Sequence, residues 1–130
     1  MAIDRGLMGA VRQKLLMDAV LRPIKIYTMA VTDAVLPLIL IQPDEIWSTF
    51  MDRPGLERVK INFSVAVHVS AKDQPQGKRL GFLIKKNLDG AKFDLEDGYK
   101  GCLRFLNDVP KTPDTRNVAT IIQHFEGFIC

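Results

Sequence analysis

The stretch from Val59 to Ser70 constrains the fold more than any other. Val59, Ile61, Phe63, Val65, Val67 and Val69 alternate with Lys60, Asn62, Ser64, Ala66, His68 and Ser70. A period of two in a run rich in β-branched residues marks a strand with one buried face. A slip of one residue would turn that face to water, so the register is firmly set. At about 3.3 Å per residue the strand would reach roughly 40 Å, twice a usual strand's length.

Ala71 to Gln76, with Pro75, reads as a short polar connection into a helix. There Leu80, Leu83, Ile84 and Leu88 recur at spacings of three and four and form one apolar stripe. Asp89-Gly90 ends the helix, because glycine enters the left-handed region without a Cβ clash. A long strand followed by an amphipathic helix folding back on it makes a sheet covered by a helix layer.

Upstream, Asp4 is placed to cap a helix running to Leu21, with Met8, Val11, Leu15 and Ala19 as its stripe. Pro23 stops it, since a proline pushes the preceding residue out of the helical region. Ile24 to Val31 alternates as a short strand. Leu38-Ile39-Leu40-Ile41 is apolar on both faces, as in a strand covered on both sides or set in an assembly interface. Pro43 and Asp44 interrupt it as a bulge would. Leu38–Met51 is expected to pair antiparallel with Val59–Ser70 around the turn Asp52-Arg53-Pro54-Gly55. The tip of that hairpin would project beyond the core, carrying Trp47, Phe50, Met51 and Arg53, which either fold back onto the core or form a contact surface of a composition favoured in interfaces.

Downstream, Ala91 to Gly101 reads as a loop, Cys102 to Leu106 as a strand and Asn107 to Asn117 as a second loop. Val118 to Ile129 is the final strand. Residues 1–130 form one domain of size sufficient to bury a core. The class is α+β: a mostly antiparallel sheet of four to five strands with a long hairpin, and two helices packed on one side.

The chemistry-bearing residues are sparse. The two cysteines, Cys102 and Cys130, form no CxxC or Cys/His cluster, which gives no zinc site or disulfide framework. Cys102 is expected to be a buried, inert thiol. His68 and His124 have no acidic or thiol neighbour at ligand spacing and read as surface or hydrogen-bonded strand histidines. Asp94, Glu96 and Asp97 lack the oxygen pattern of a calcium loop. Gly77-Lys78 has no phosphate-loop frame, so no catalytic residue, metal or cofactor is assigned. The longest uncharged apolar run, Ala34 to Pro43, is ten residues, too short to span a bilayer. Asp4, Arg5 and Gly6 stand where a secretion signal needs an apolar core, so the expected product is soluble and cytoplasmic.

Charge leaves one surface open. Eighteen basic and fifteen acidic residues give a net +3. Lys78, Arg79, Lys85 and Lys86 fall on the second helix, with no acid between Asp73 and Asp89. They form either a solvated helix face or a surface facing DNA or an acidic neighbour. Phe82 lies off the Leu80–Ile84–Leu88 stripe and marks a second apolar contact.

The order of these pieces resembles the tail-completion, or tail-terminator, family of long-tailed phages and phage-like gene transfer agents. The matching parts are the helix Arg5–Leu21, Ile26-Tyr27, the strand Leu36-Pro37-Leu38-Ile39-Leu40-Ile41-Gln42 and the turn around Asp52–Glu57. The alternating strand Val59–Ser70, the helix ending Leu88-Asp89-Gly90 and the final strand Arg116–Ile129 complete the likeness, which spans nearly the whole chain. The basic second helix and the acidic insert Lys92–Tyr99 depart from it.

The resemblance implies a structural virion protein, assembled in the bacterial host cytoplasm, that forms a hexameric ring at the head-proximal end of the tail. The ring would stop tube polymerisation, meet the tail tube protein and the head-tail connector protein, and pass DNA without specific recognition. Such proteins are not enzymes. Within this frame Trp47, Phe50, Met51, Arg53 and Phe82 are the candidate subunit or tube contacts, and Lys78, Arg79, Lys85 and Lys86 the candidate DNA-facing bases. A head-completion or connector protein, or a small nucleic-acid-binding module, are the alternatives.

Overall fold

The computed structural model describes residues 6–28, 35–46, 50–53, 56–111 and 117–129; side chains of 44–46, 50–53, 56–59 and 97 fall outside that description. Helix α1 spans Leu7–Leu16 and α2 Gln74–Leu88. The strands are β1 (Lys25–Tyr27), β2 (Leu38–Ile46), β3 (Phe50–Arg53), β4 (Leu56–Ser70), β5 (Lys92–Asp94), β6 (Lys100–Lys111) and β7 (Val118–Ile129).

Six strands line up as β1-β2-β4-β7-β6-β5, and β3 pairs with the far end of β4. All pairings are antiparallel except β1 with β2. β4 is the spine: Leu38–Ile46 pairs with it from His68 to Ile61, and β7 pairs with it from Val59↔Ile129 to Ser70↔Val118. The expected long hairpin is present, and its register shifts between Pro43 and Glu45, as proline in a strand foretold.

The alternation in β4 sorts its faces. Ile61, Phe63, Val65 and Val67 are fully buried and join Val11 and Leu15 of α1, Leu80, Ile84 and Leu88 of α2, and Ile39, Ile41, Phe125 and Ile129 of the sheet in one core. Both helices lie on this side. α2 comes close to the sheet because it carries glycine where it crosses β4 and β7. A Cβ on Gly77 would sit 3.0 Å from Val69 Cγ2, and one on Gly81 3.1 Å from Gln123 Nε2. The buried Gln123 side chain donates to the Gly81 carbonyl at 2.7 Å, tying helix to sheet.

Aromatic packing continues this link. Phe63 stacks on Phe125, ring centres 5.5 Å apart at 13°, and Phe105 meets Phe125 edge-on at 5.5 Å. Lys85 Nζ lies 4.4 Å over the Phe105 ring.

Several expected boundaries move. The first helix stops at Leu16 rather than Leu21, because the Asp18 carboxylate accepts from the Val20 and Leu21 amides and turns the chain. Its N-cap is Gly6, at φ 83°, rather than Asp4, which lies outside the described residues. α2 starts three residues earlier than expected, at Gln74 rather than Gly77, since Pro75 is tolerated in a first turn. The expected strand Ile24–Val31 is described only as Lys25–Tyr27.

The sheet also holds more strands than four to five. Part of the expected loop Ala91–Gly101 pairs as β5. The strand Cys102–Leu106 lengthens to Lys111, absorbing Pro110 where β6 has β7 on one side and extends past β5 on the other. Proline's missing donor costs little at such an edge.

The Phe63–Phe125–Phe105 stack yields a stability test. Phe125→Ala should cost about 3–5 kcal/mol in urea unfolding, while the fold's far-ultraviolet dichroism persists in water. A loss under 1 kcal/mol would remove Phe125 from the centre of the core.

Candidate assembly surface

Three surfaces remain once the core is assigned. The first is the far end of the ribbon. β7 ends its ladder opposite Val59, so among the described residues Leu56–Arg58 pair only with β3, through Phe50↔Arg58, Met51↔Glu57 and Arg53↔Leu56. Phe50, Met51 and Arg53 therefore sit on a strand beyond the main sheet. Their side chains, and Trp47 altogether, lie outside the described residues.

The second is the outer face of α2. Gly77, Leu80, Gly81, Ile84 and Leu88 point inward, which leaves Lys78, Arg79, Phe82, Lys85 and Lys86 exposed. Phe82 is 66% exposed. Helical spacing puts Lys78 and Arg79 one turn before it and Lys85 and Lys86 one turn after. The four bases are not equivalent. Lys85 is drawn onto Phe105, and Lys86 faces Asp18. The Asp18 carboxyl lies below its usual range chiefly because Asn87 donates to it, with help from the Val20 amide and the Lys86 charge. Lys78 and Arg79 have no ion pair among the described residues.

The third is the sheet face opposite the helices. Register places Leu38, His68, Thr120 and Lys111 in one row, and Leu40, Ala66, Ile122 and Val109 in the next. His68 Nδ1 and Thr120 Oγ1 are 3.0 Å apart, so of the two readings the sequence left open, surface or hydrogen-bonded, this histidine is hydrogen-bonded. Nearer β5 lies an ion network. Glu126, only 3% exposed, sits 3.1 Å (Oε2) from Lys60 Nζ and pairs through Oε1 with Arg104. Lys60 also spans the Phe128 ring at 5.8 Å.

Beside this network a cavity of about 330 Å³ opens at the β5–β6–β7 corner, lined by Phe93, Phe128, Cys102, Lys92, Asp94 and Lys100, with Gly101 beneath. Cys102 is exposed rather than buried. In β6 it alternates with buried Gly101 and Leu103 and so faces away from the helices. Among the described residues no group of three or more His, Cys, Asp or Glu side chains could hold a metal, and no helix is long and apolar enough to cross a membrane.

Sequence reading found the outer face of α2 but missed the Glu126 network and the cavity. The only signal for the first was a carboxylate inside the apolar run Ile121–Ile129. The second needs β5, which reads as loop.

A helix-backed, mostly antiparallel sheet with a ribbon overhanging one end defines an α+β scaffold, and the features that stand out among the described residues are surfaces. No protein-family model matches the sequence, and no curated protein does. Among solved structures, the fold is similar to a chain in the virion of a native gene transfer agent particle: TM-score 0.78, 21% identity, covering 95% of this chain and 93% of that one.

The Glu126 network separates two kinds of substitution. Glu126→Met, which removes the buried charge, should change stability by less than about 1.5 kcal/mol. Lys60→Met with Arg104→Met, which strands the carboxylate, should cost about 3 kcal/mol in urea unfolding. The reverse order would show that Glu126 is well solvated.

Proposed function

We propose that this chain is a structural subunit of a phage-like particle, a tail terminator that closes into a hexameric ring at the head-proximal end of the tail. The observation that carries the reading is the fold match over nearly the full length of both chains with a protein of a gene transfer agent virion. The ribbon adds a physical reason for assembly, because backbone beyond the main sheet gains stability by finding partners in neighbouring copies.

The mechanism is geometric and assigns the chain no catalysis and no cofactor. A head-to-tail contact repeated by rotation closes a ring, and a closed ring on top of a hexameric tube leaves no site for the next tube subunit. The opposite rim then meets the connector, and DNA passes through the centre without base readout. Trp47, Phe50, Met51 and Arg53 serve as contacts to a sister subunit or to the tube.

Size-exclusion chromatography with light scattering tests this. The expected result is a particle of six 14.6 kDa chains, forming directly or as concentration rises. Trp47→Ser with Phe50→Ser should leave the circular dichroism unchanged and the particle dissociated. A strict monomer at every concentration that retains duplex DNA in low salt would contradict the ring and favour a nucleic-acid-binding module.

A further inference from the structure

The positive charge of the chain is unevenly divided. Residues 7–22 and 71–90, which hold both helices and their flanks, carry eight basic and three acidic residues, whereas the rest of the sequence carries ten and twelve. Both helices lie on one side of the sheet, so the excess sits on that side. We infer that this helix layer is a phosphate-facing surface for duplex DNA, with Lys72, Lys78, Arg79, Lys85 and Lys86 as its contacting cations. The inference deepens the ring reading, since it names the wall that meets DNA in the channel. The surface itself belongs to the single chain and is measured whatever the chain's mass.

The few acids of the layer do not cancel its bases. Asp18 is held by the amides of Val20 and Leu21 and by the Asn87 side chain, and Asp89 accepts from the Phe105 amide. The ion pairs among the described residues join Lys60 and Arg104 to Glu126 and Lys100 to Asp94, all on the sheet. Lys72, Lys78, Arg79, Lys85 and Lys86 are exposed. Lys85 rests on the Phe105 ring, which steadies the side chain and leaves its charge unneutralised. A face lined by one sign of charge raises the local concentration of a polyanion.

Spacing and composition favour a duplex. Lys78-Arg79 and Lys85-Lys86 stand seven residues apart, nearly two turns, and so share a face about 10 Å apart along the axis. That separation is close to the roughly 12 Å width of the major groove, which lets the two pairs reach phosphates on both of its edges. Single strands are held by stacking bases on several aromatic rings, and residues 71–90 hold one, Phe82. Phosphates gain nothing from that ring, whereas a protein partner would bury it, so Phe82 separates the two kinds of partner.

Fluorescence anisotropy of a labelled duplex of about 20 base pairs, titrated between about 50 and 200 mM salt, tests the surface. Four to five phosphate contacts give log affinity against log salt a slope of about −4. Lys78→Gln with Arg79→Gln should weaken binding and bring that slope about two units nearer zero, with the circular dichroism unchanged. Lys100→Gln with Lys111→Gln, away from the helix layer, and Phe82→Ser should leave affinity and slope as they are. No salt-sensitive binding at about 50 mM, or equal losses in both double variants, would overturn the surface. Binding of poly-glutamate without binding of the duplex would assign the layer to an acidic protein and overturn it as well. Light scattering on the same samples keeps the two readings apart: an assembled ring that ignores the duplex overturns this surface alone, and single chains that bind it at every concentration overturn the ring alone.

Discussion

The structure depends on the pairing of β4 with β2 on one side and β7 on the other. Twelve consecutive register pairs join β4 to β7, and their alternation sends every second side chain under the helices. Shifting that register by one residue would bring Lys60, Asn62 and His68 into the core and expel Phe63 and Val65, at a cost no loop could offset. The other elements follow from this. α2 crosses where Gly77 and Gly81 leave room, α1 fills the space beside it, and the aromatic contacts from Phe63 to Phe105 hold β6 against β7 and β4.

The two faces of the sheet are used differently. The helix side is continuous apolar packing that one copy completes by itself. The opposite side mixes half-buried apolar rows with the Lys60–Glu126–Arg104 network and the corner cavity. A buried carboxylate adds little to stability and more to the uniqueness of an arrangement. Here it joins β4, β7 and β6 through Lys60 and Arg104, beside the corner cavity.

Much of the fold was legible in the sequence, for identifiable reasons. β4 and the inner face of α2 are long and strictly periodic, so pattern alone placed them, and Asp89-Gly90 marked the end of α2 correctly, with Gly90 at φ 77°. Elements set by tertiary pairing were harder. Residues 92–94 become a strand only because β6 lies alongside, and Pro110 sits in a strand because its missing donor faces an edge. Cys102 was misplaced because its burial depends on which way β6 alternates, and that is fixed by Gly101 and Leu103 packing inward. For the candidate surfaces, Phe82 stood out as an aromatic off its helix stripe, whereas Glu126 and the cavity required strands distant in sequence to be brought together.

The central physical claim is that the ribbon is a single ladder with two fates: its helix-covered part is complete in one molecule, and its far end is completed by another. Amide hydrogen exchange resolved along β4 tests this most directly. Amides of Ile61–Val69 should exchange slowly in dilute monomer and in assembled particle alike, while those of Leu56–Arg58 and Phe50–Arg53 should exchange quickly in the monomer and become protected on assembly. Equal, strong protection at both ends of the ribbon under conditions where light scattering detects only single chains would contradict it.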